Sequence, residues 1–253
     1  GQAELLSSAR DTEVEAVIRA TATARGARVA FEGREFALTE ARLAVGGQQL
    51  TVQGLAGRYE GAYLPVYGSH QGRNAALAIA AVEMLLGAGG RAIAEDVLAE
   101  ALTVVTSPGR LQLLGTAPTV LVDAAHNPHG AAALATALRE SFAFEEWGVV
   151  LGVLADKDAA GIVAALAPIA TRVFVTAPAS DRAGDPDALA DLAEAAGLDV
   201  TVHGDLPTAA DEARAWAVES AQRAVVIAGS VVLAGEAIAV SVAEGWKRGG
   251  ADA

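Results

Sequence analysis

The residues best placed to do chemistry follow a short apolar run, Thr119–Val122. The run ends in the carboxylate of Asp123, and His126 and Asn127 come soon after it, before an alanine- and leucine-rich segment that is predicted to become helical at Gly130. In an α/β protein this order places the three polar side chains at the carboxyl edge of a parallel strand, where the ligands of open sheets bind. The following helix directs N–H groups and partial positive charge at the same place. The segment therefore predicts part of a ligand site.

Polar loops also follow four more apolar runs in the second part of the chain. These loops carry Asp156, Lys157, Asp158, Ser180, Asp181, Arg182, His203, Asp205, Gly229 and Ser230. Any one of them is more typical of a solvated loop or a helix cap than of a site, and Asp123 on its own fits a helix cap equally well. Their convergence favours a shared site, because three of the four histidines and the only interior lysine, Lys157, fall on this edge.

The chemistry of this set excludes some classes of site and favours another. Ser230 follows a glycine but lacks the nucleophile elbow of a hydrolase, and neither H-E-x-x-H nor paired cysteine supports a zinc site. Cationic, hydroxyl and helix N-terminal groups facing carboxylates suit an anionic small molecule held beside a nucleotide. In that arrangement Lys157 offers a point charge to a carboxylate, Ser230 a hydroxyl donor, and Asp123 an acceptor for a ribose or amino group.

Two elements earlier in the chain add to this prediction. The segment Tyr67–Ala76 places His70, Gln71 and Asn74 on the first turns of a helix, where a carboxamide can read the donor and acceptor edge of an adenine. In isolation Asn74 is more typical of an ordinary polar helix residue. Arg110 follows a Pro-Gly pair just past the expected domain hinge, from which it could reach a phosphate, although alone it is a surface charge.

Composition narrows the class of protein. The formal net charge of the 253 residues is −13, which argues against general nucleic-acid binding. No apolar run approaches the roughly 20 residues that span a bilayer, so no membrane partner is expected. The absence of cysteine suits a cytoplasmic protein without a disulfide framework. The other lysine, Lys247, is interpreted as a solvated charge near the end of the sequence.

The part of the chain before Thr106–Gly109, a stretch of linker composition, differs from the part after it. It predicts a helix over Asp11–Arg25, short antiparallel strands over Arg28–Val66, and helices over Ser69–Leu86 and Ala92–Val104. The glycine-rich segment Gly87–Ala92 matches a relaxed dinucleotide fingerprint, but it follows a helix rather than a strand, so an inter-helix turn is favoured.

The second part alternates strands and helices. Apolar strands are predicted at Val120–Val122, Val149–Leu154, Val173–Thr176, Val200–Val202 and Val225–Ala228. Because each is followed by a loop and a helical stretch, the connections are parallel crossovers. The predicted fold class is α/β, with a doubly wound, Rossmann-like C-terminal domain.

Five motifs, taken in order, resemble the folylpolyglutamate synthase/dihydrofolate synthase family of the ATP-dependent Mur ligase superfamily. They are Gly68–Ala75, Pro108–Leu111, Asp123–Pro128, Gly152–Asp158 and Gly229–Gly235. The resemblance implies an enzyme that uses ATP to activate a folate carboxylate as an acyl phosphate, which the amino group of L-glutamate then attacks. The partners it implies are ATP, Mg²⁺, L-glutamate and a folate or dihydropteroate.

The resemblance also implies roles for single residues on the nucleotide side. Asn74 would contact adenine, Arg110 would bridge to the phosphates, and Asp123 would hold the ribose or base side of the nucleotide.

On the side of the reacting carboxylate, His126 would lie close to the reacting centre. Lys157 and Ser230 would receive the carboxylate of the incoming amino acid, with Lys157 also counted as catalytic. Arg182 matches the family's arginine at the third strand end and is counted as substrate-binding. No metal ligand is assigned in this chain.

This chain departs from the family pattern at three motif positions and lacks one motif. Ala124 replaces a glycine, Val232 stands where an aromatic residue is common, and Asp181 precedes Arg182 where proline is frequent. No G-x-x-x-x-G-K-[ST] loop is present, and the family carries this loop, its magnesium ligands and most of its folate pocket in its N-terminal half.

The expected organisation follows from the missing loop. Residues 1–105 would be the C-terminal part of a central ATP-binding ligase domain, composed of helices and short antiparallel strands, and 106–253 would be a C-terminal glutamate ligase domain. The N-terminal half of the same enzyme would be a partner, and the chain alone is expected to be inactive, since phosphoryl transfer depends on that loop and its metal.

Two alternatives stay open at this point. One is a non-catalytic module that binds a nucleotide or an amino acid, and the other is a sibling Mur-type ligase that joins a different amino acid to a different acid.

Overall fold

A computed structural model describes residues 4–9, 11–87 and 90–246. The chain divides into two compact units, Gly1–Thr106 and Ser107–Ala253, and the division falls within the stretch of linker composition. Lys247 and part of the glycine-rich segment 87–92 lie outside the described residues.

The first unit begins with a β-α-β element. Strand β1 (Glu4–Ser7) pairs in parallel with β2 (Arg28–Phe31), and helix α1 (Thr12–Ala24) connects them. The side chain of Asp11 caps α1 by accepting hydrogen bonds from two N–H groups of its first turn, so the predicted helix is confirmed to within a residue at each end. The prediction of antiparallel pairing is wrong for β2, because the crossover through α1 makes the two strands run in the same direction.

Antiparallel pairing is confirmed in the three strands that follow. These strands, β3 (Ala37–Ala44), β4 (Gly47–Gln53) and β5 (Arg58–Leu64), form a sheet in the order β3-β4-β5. The inward residues of β4, including Leu50 and Val52, are fully buried in a cluster with residues of the helices that follow.

Two helices complete the first unit, α2 (Ser69–Gly87) and α3 (Glu95–Thr103). Helix α2 begins at Ser69, as predicted. On α2 the carboxylate of Glu83 is completely buried and accepts hydrogen bonds from backbone N–H groups of the β4–β5 turn and from the hydroxyl of Tyr59. A buried charge requires such partners, so Glu83 ties the hairpin to the helix.

The second unit is built on one six-stranded sheet. Its strands are β6 (Gln112–Thr116), β7 (Thr119–Val122), β8 (Glu146–Leu151), β9 (Ala170–Val175), β10 (Asp199–Val202) and β11 (Arg223–Ala228). The strand order is β10-β9-β8-β11-β7-β6, and every pair is parallel except β6 with β7. All five predicted strands are present, although β8 starts and ends three residues earlier than the predicted Val149–Leu154. The antiparallel strand β6 was not predicted.

Four helices connect the parallel strands and a fifth follows β11: α4 (Pro128–Ser141), α5 (Ala159–Leu166), α6 (Pro186–Ala195), α7 (Leu206–Val218) and, after β11, α8 (Val231–Ala243). From β7 to β10 the chain crosses to β8 and then moves outward, and it returns from β10 to β11 in the opposite direction. Since parallel crossovers are right-handed, α4, α5 and α6 cover one face and α7 the other, where α8 packs beside it. The doubly wound α/β prediction is confirmed.

The central strands are apolar along their whole length because both faces of the sheet are covered. The consecutive residues Val225, Val226 and Ile227 of β11 have no exposed surface, and burying each such side chain contributes roughly 1.5–3 kcal/mol. No helix among the described residues is long and apolar enough to cross a membrane.

Candidate functional site

Three loops meet where the middle strands of the second unit end. Strand β11 lies between β7 and β8, so the loop that carries Ser230 is flanked by the loops that carry Asp123 and Lys157. Backbone hydrogen bonds join them: Gly229 N–H donates to Ala125 O at 3.0 Å, and Gly152 N–H donates to Ala228 O at 3.2 Å. The structure thus brings three of the predicted site residues to one edge.

Gly229 makes this close approach possible. Its φ of +114° lies in a region that L side chains rarely adopt, and a Cβ there would stand 2.5 Å from the carbonyl oxygen of Gly152. A side chain at this position would separate the two loops.

Asp123 is buried, with only 5% of its surface exposed. One carboxylate oxygen accepts the N–H of Leu111 at 2.9 Å and the other accepts the N–H of Ala125 at 2.8 Å. The residue that caps the following helix is Asn127, whose Oδ1 accepts the N–H of Gly130 at 2.8 Å. Asp123 is therefore not a helix cap, and α4 begins at Pro128, two residues before the predicted start at Gly130.

His126 is half-buried in the same loop. Its Nδ1 lies 3.0 Å from the carbonyl oxygen of Ala124. Because a carbonyl oxygen only accepts hydrogen bonds, Nδ1 carries the proton, and in the neutral ring Nε2 is left with the lone pair. This tautomer gives the edge a nitrogen that can accept a proton.

Ser230 is the N-cap of α8 and is almost completely buried. Its Oγ accepts the N–H of Leu233 at 2.9 Å. The hydroxyl hydrogen is still available for donation, as the sequence interpretation requires, but the position also has a structural task.

Lys157 differs from the expected solitary point charge. Its Nζ lies 3.0 Å from one carboxylate oxygen of Asp156, and Arg182 Nη2 lies 2.8 Å from the other. The hydrogen bond from Lys157, followed by the interactions with Arg182, lowers the pKa of Asp156 below its ordinary value. The two predicted cations are therefore brought together by a carboxylate that sequence reasoning counted only as a loop residue.

The loops that carry these cations are fixed to each other by their backbones. Ala155 N–H donates to Arg182 O at 2.9 Å, and Gly184 N–H donates to Val153 O at 2.8 Å. A cavity of 210 Å³ opens beside this contact, with Lys157 among its lining residues and largely apolar walls from Val153 to Leu192. Sequence reasoning missed this cavity, because its walls come from separate loops and helices.

Other polar residues of this edge have local structural explanations. Asp205 caps α7, and its side-chain and backbone hydrogen bonds with Thr208 lower its pKa. Asp158 caps α5 through Gly161 N–H. His203 lies 3.1 Å from the hydroxyl of Thr201. The convergence that the sequence predicted is thus smaller than the full set of strand-end residues.

Arg110 projects from a tight turn that precedes β6. The turn closes with Arg110 N–H donating to Ser107 O at 3.0 Å, and Leu111 then adopts a φ of +43° although it is not glycine. Among the described residues, no carboxylate forms an ion pair with the Arg110 guanidinium.

Asn74 belongs to the first unit. It is exposed on α2, and its Nδ2 donates to Gln71 Oε1 at 3.3 Å. The neighbouring Arg73 forms a double hydrogen bond with Glu32, at 2.7 and 2.8 Å, which anchors α2 to the end of β2. The amide of Asn74 therefore faces solvent on an anchored helix.

In the part of the chain that the structure describes, no three His, Cys, Asp or Glu side chains are close enough to hold a metal ion.

Comparison with known proteins gives this geometry a context. Residues 109–231 match the family model described as "Mur ligase, glutamate ligase domain". A dihydrofolate synthase/folylpolyglutamate synthase of Mycobacterium tuberculosis is 45% identical over 235 residues, which cover 87% of this chain and 48% of that protein.

Solved structures of folylpolyglutamate synthases also match this chain over most of its length. The M. tuberculosis folylpolyglutamate synthase complexed with ADP matches with a TM-score of 0.88 at 41% identity, over 94% of this chain and 55% of that one. A folylpolyglutamate synthase of Thermotoga maritima matches with a TM-score of 0.76 at 27% identity, over 97% and 56%. The chain spans about half the length of the relatives it matches.

Proposed function

Because residues 109–231 match the model of the Mur ligase glutamate ligase domain, we propose that this chain is part of an ATP-dependent ligase that adds L-glutamate to a folate. The observation that carries the proposal is the extent of the match. The matched segment, 109–231, begins at the turn that holds Arg110 and ends at the cap formed by Ser230, so it contains every loop of the candidate edge. Action on dihydropteroate as well is part of the proposal.

The proposed reaction has two steps. A folate carboxylate takes the terminal phosphoryl group of ATP, which gives an acyl phosphate and ADP. The amino group of glutamate then attacks the acyl carbon, the C–N bond forms, and phosphate leaves as the C–O bond breaks. The attacking amine must lose a proton, and Nε2 of His126 is a suitable acceptor because its ring proton is held on Nδ1.

Lys157 and Ser230 are proposed to hold the incoming amino acid. The Ser230 hydroxyl can donate to a carboxylate while its oxygen caps α8. Lys157 supplies positive charge, and Arg182 stands on the other side of Asp156. Two cations share the single carboxylate of Asp156, so this part of the site favours a ligand that carries negative charge. The carboxylate of the substrate must compete with Asp156 for these cations.

The nucleotide is assigned to Asn74 and Arg110, and the resemblance adds Asp123. Asn74 has an exposed carboxamide for a base edge, and Arg110 has a guanidinium with no carboxylate partner among the described residues, which fits an incoming phosphate. Asp123 fits less well, since both its oxygens already accept backbone N–H groups. Mg²⁺ is expected from the resemblance, but the residues described here do not form a site for it, and no step is assigned to it.

The proposal includes a partner segment that supplies the phosphate-binding loop. The 253 residues contain no such loop, and the first unit has the features of an incomplete layer. Its β1–β2 sheet has two parallel strands, whereas parallel sheets are normally larger and covered on both faces. The carboxylate of Glu35 accepts Phe31 N–H at 2.8 Å, which occupies one donor at the end of β2. This contact favours β1 as the strand that an added strand would join.

An apolar face of α2 supports the same partner. Ala78, Val82 and Leu85 follow Asn74 at helical spacing, and all are exposed, Leu85 to 87%. A row of bare apolar residues on one helix face marks an interaction surface. A segment that covers this row would lie next to the carboxamide assigned to the nucleotide.

The test uses this chain together with the half of the M. tuberculosis relative that it does not cover. With ATP, Mg²⁺, L-glutamate and either tetrahydrofolate or dihydropteroate, we expect a glutamylated product by mass spectrometry and one ADP for each glutamate added. The chain alone and the other half alone are the controls, and both should be inactive.

Three other outcomes would contradict the proposal. Product formation with another amino acid in place of glutamate would favour a sibling ligase. Nucleotide or amino-acid binding without product in the complete mixture would favour a binding module. Full activity of the chain alone would contradict the need for the other half.

A further inference from the structure

The turn before β6 holds a leucine in a conformation that leucine avoids. Leu111 has a φ of +43°, while its side chain is only 2% exposed. In this region the Cβ of an L-residue is crowded by its own backbone, so a non-glycine residue remains there only when surrounding interactions require it. The interactions that hold Leu111 in this conformation therefore determine the backbone conformation of the turn.

Two side chains accept backbone N–H groups of the turn. The buried carboxylate of Asp123 accepts Leu111 N–H at 2.9 Å, a charge-assisted hydrogen bond. The carboxamide of Gln112 accepts Gly109 N–H at 2.9 Å. The backbone of the Asp123 loop adds a third bond, since Ala124 N–H donates to Gly109 O at 2.7 Å.

Arg110 lies between the residues that are held. Its own N–H closes the turn on Ser107 O at 3.0 Å. These contacts hold the residues on both sides of Arg110 and so fix the direction in which its side chain projects from the turn. The guanidinium itself forms no ion pair with a described residue.

We infer that Asp123 acts on the reaction through Arg110, as the positioning residue that keeps Leu111 in its left-handed conformation and so fixes the turn from which Arg110 projects. Gln112 is a second, neutral support of the same turn. The effect of Asp123 on the reaction rests on the proposed function. Its effect on the conformation of the turn does not. It replaces the expectation that Asp123 acts by contact with the ribose or base.

The first experiment needs no activity. Amide hydrogen exchange is measured on the purified chain and on D123N, in which the side chain has lost the charge and one of its two acceptor oxygens. We expect exchange at Leu111 and Gly109 to become at least tenfold faster, with helices α5 and α6 unchanged as internal controls. Unchanged exchange at Leu111 in a folded D123N would overturn the inference.

A matched pair of variants tests the backbone conformation. L111A and L111G both remove the buried side chain, but only glycine adopts a positive φ freely. We expect L111G to melt about 3 °C above L111A, the reverse of the usual order for these residues. L111A melting at or above L111G would show that the left-handed conformation is not being enforced.

The route to the reaction is tested by a double-mutant cycle in the reconstituted enzyme. R110A and D123N should each raise KM for ATP about tenfold, and the double variant should be no worse than R110A alone, because both changes remove the same contact. A roughly hundredfold rise in the double variant would mean that Asp123 contacts the nucleotide independently, which overturns the inference. If no variant or wild type uses ATP, the proposed function fails, and the exchange and melting experiments still decide whether Asp123 holds the turn.

Discussion

The hydroxyl of Tyr59 donates a 2.6 Å hydrogen bond to the carboxylate of Glu83, and both side chains are buried in the first unit. The same carboxylate accepts N–H groups of Ala56 and Gly57 in the β4–β5 turn, and the Tyr59 oxygen in turn accepts Ile93 N–H at 2.8 Å. One buried charge thus joins the hairpin, α2 and the segment before α3.

Replacement of Glu83 should destabilise the first unit strongly. Glutamine has one acceptor oxygen, and its amide would face N–H groups of the turn. We expect E83Q to lower the free energy of unfolding by about 3 kcal/mol and Y59F by about 2 kcal/mol, in urea titrations. The control E60Q removes an exposed carboxylate on β5 that pairs with Arg58, and it should change stability by less than ~0.5 kcal/mol. Equal effects of E83Q and E60Q would show that the buried carboxylate does not hold the hairpin.

The same pair predicts a loss of stability at high pH. Burial, together with the hydrogen bond to Glu83, raises the pKa of Tyr59 from 10.0 to about 12. Because the folded-state pKa is the higher one, the stabilisation is complete below pH 10 and is lost as the pH rises towards 12. The difference of two pKa units corresponds to about 2.7 kcal/mol.

The measurement is the free energy of unfolding from pH 8 to 12 for wild type and Y59F. Burial also raises the pKa of Tyr67, so the difference between the two proteins isolates Tyr59. Parallel curves over this range would contradict the assignment.

Ser230 should have separable structural and binding effects. S230A removes the cap of α8 and should lower the free energy of unfolding by about 1 kcal/mol. In the reconstituted ligase it should also raise KM for glutamate at least tenfold, because the donor to the substrate carboxylate is lost. D205A removes the cap of α7 at the same sheet edge, and it should destabilise the domain without a change in this KM. A rise in KM shared by both variants would reduce the role of Ser230 to that of a cap.

The Asp156 carboxylate should compete with the substrate for Lys157. We expect K157M to raise KM for glutamate at least tenfold, whereas D156N should lower it a few-fold, since Lys157 is then released from its internal partner. Both variants should fold normally, because neither side chain is buried: Lys157 is 31% exposed and Asp156 46%. If D156N raises KM as much as K157M does, Asp156 orients Lys157 and does not compete with the substrate.

The sequence predicted the parallel strands of the second unit well, because a strand buried on both faces is a continuous apolar run, as in Val225–Ala228. It also predicted that Asp123, Lys157 and Ser230 come from loops at one edge. That inference needed the direction of each strand and no detailed geometry.

The features it missed depend on contacts between distant segments. The pairing of Asp156 with both Lys157 and Arg182 requires two separate loops to meet. Strand β6 is irregular beside Leu113 and pairs along one side only, so its pattern is weak. The left-handed conformation of Leu111 has no local signal, since glycine or asparagine would be the residue expected there.

The position of β11 sets the order in which this domain can be assembled. This strand fills the gap between β7 and β8, yet among the six strands of this sheet it is the last along the chain, so it is synthesised after the other five. Once β6 to β10 have been synthesised, β6-β7 and β8-β9-β10 can form two separate sheet segments. The edges of β7 and β8 that will later pair with β11 then have unpaired backbone groups, which can form wrong strand pairs. Pairing of Arg223–Ala228 with β7 and β8 closes that gap and places the loop that carries Ser230 between the loops of Asp123 and Lys157, so the candidate edge forms only when this strand joins the sheet.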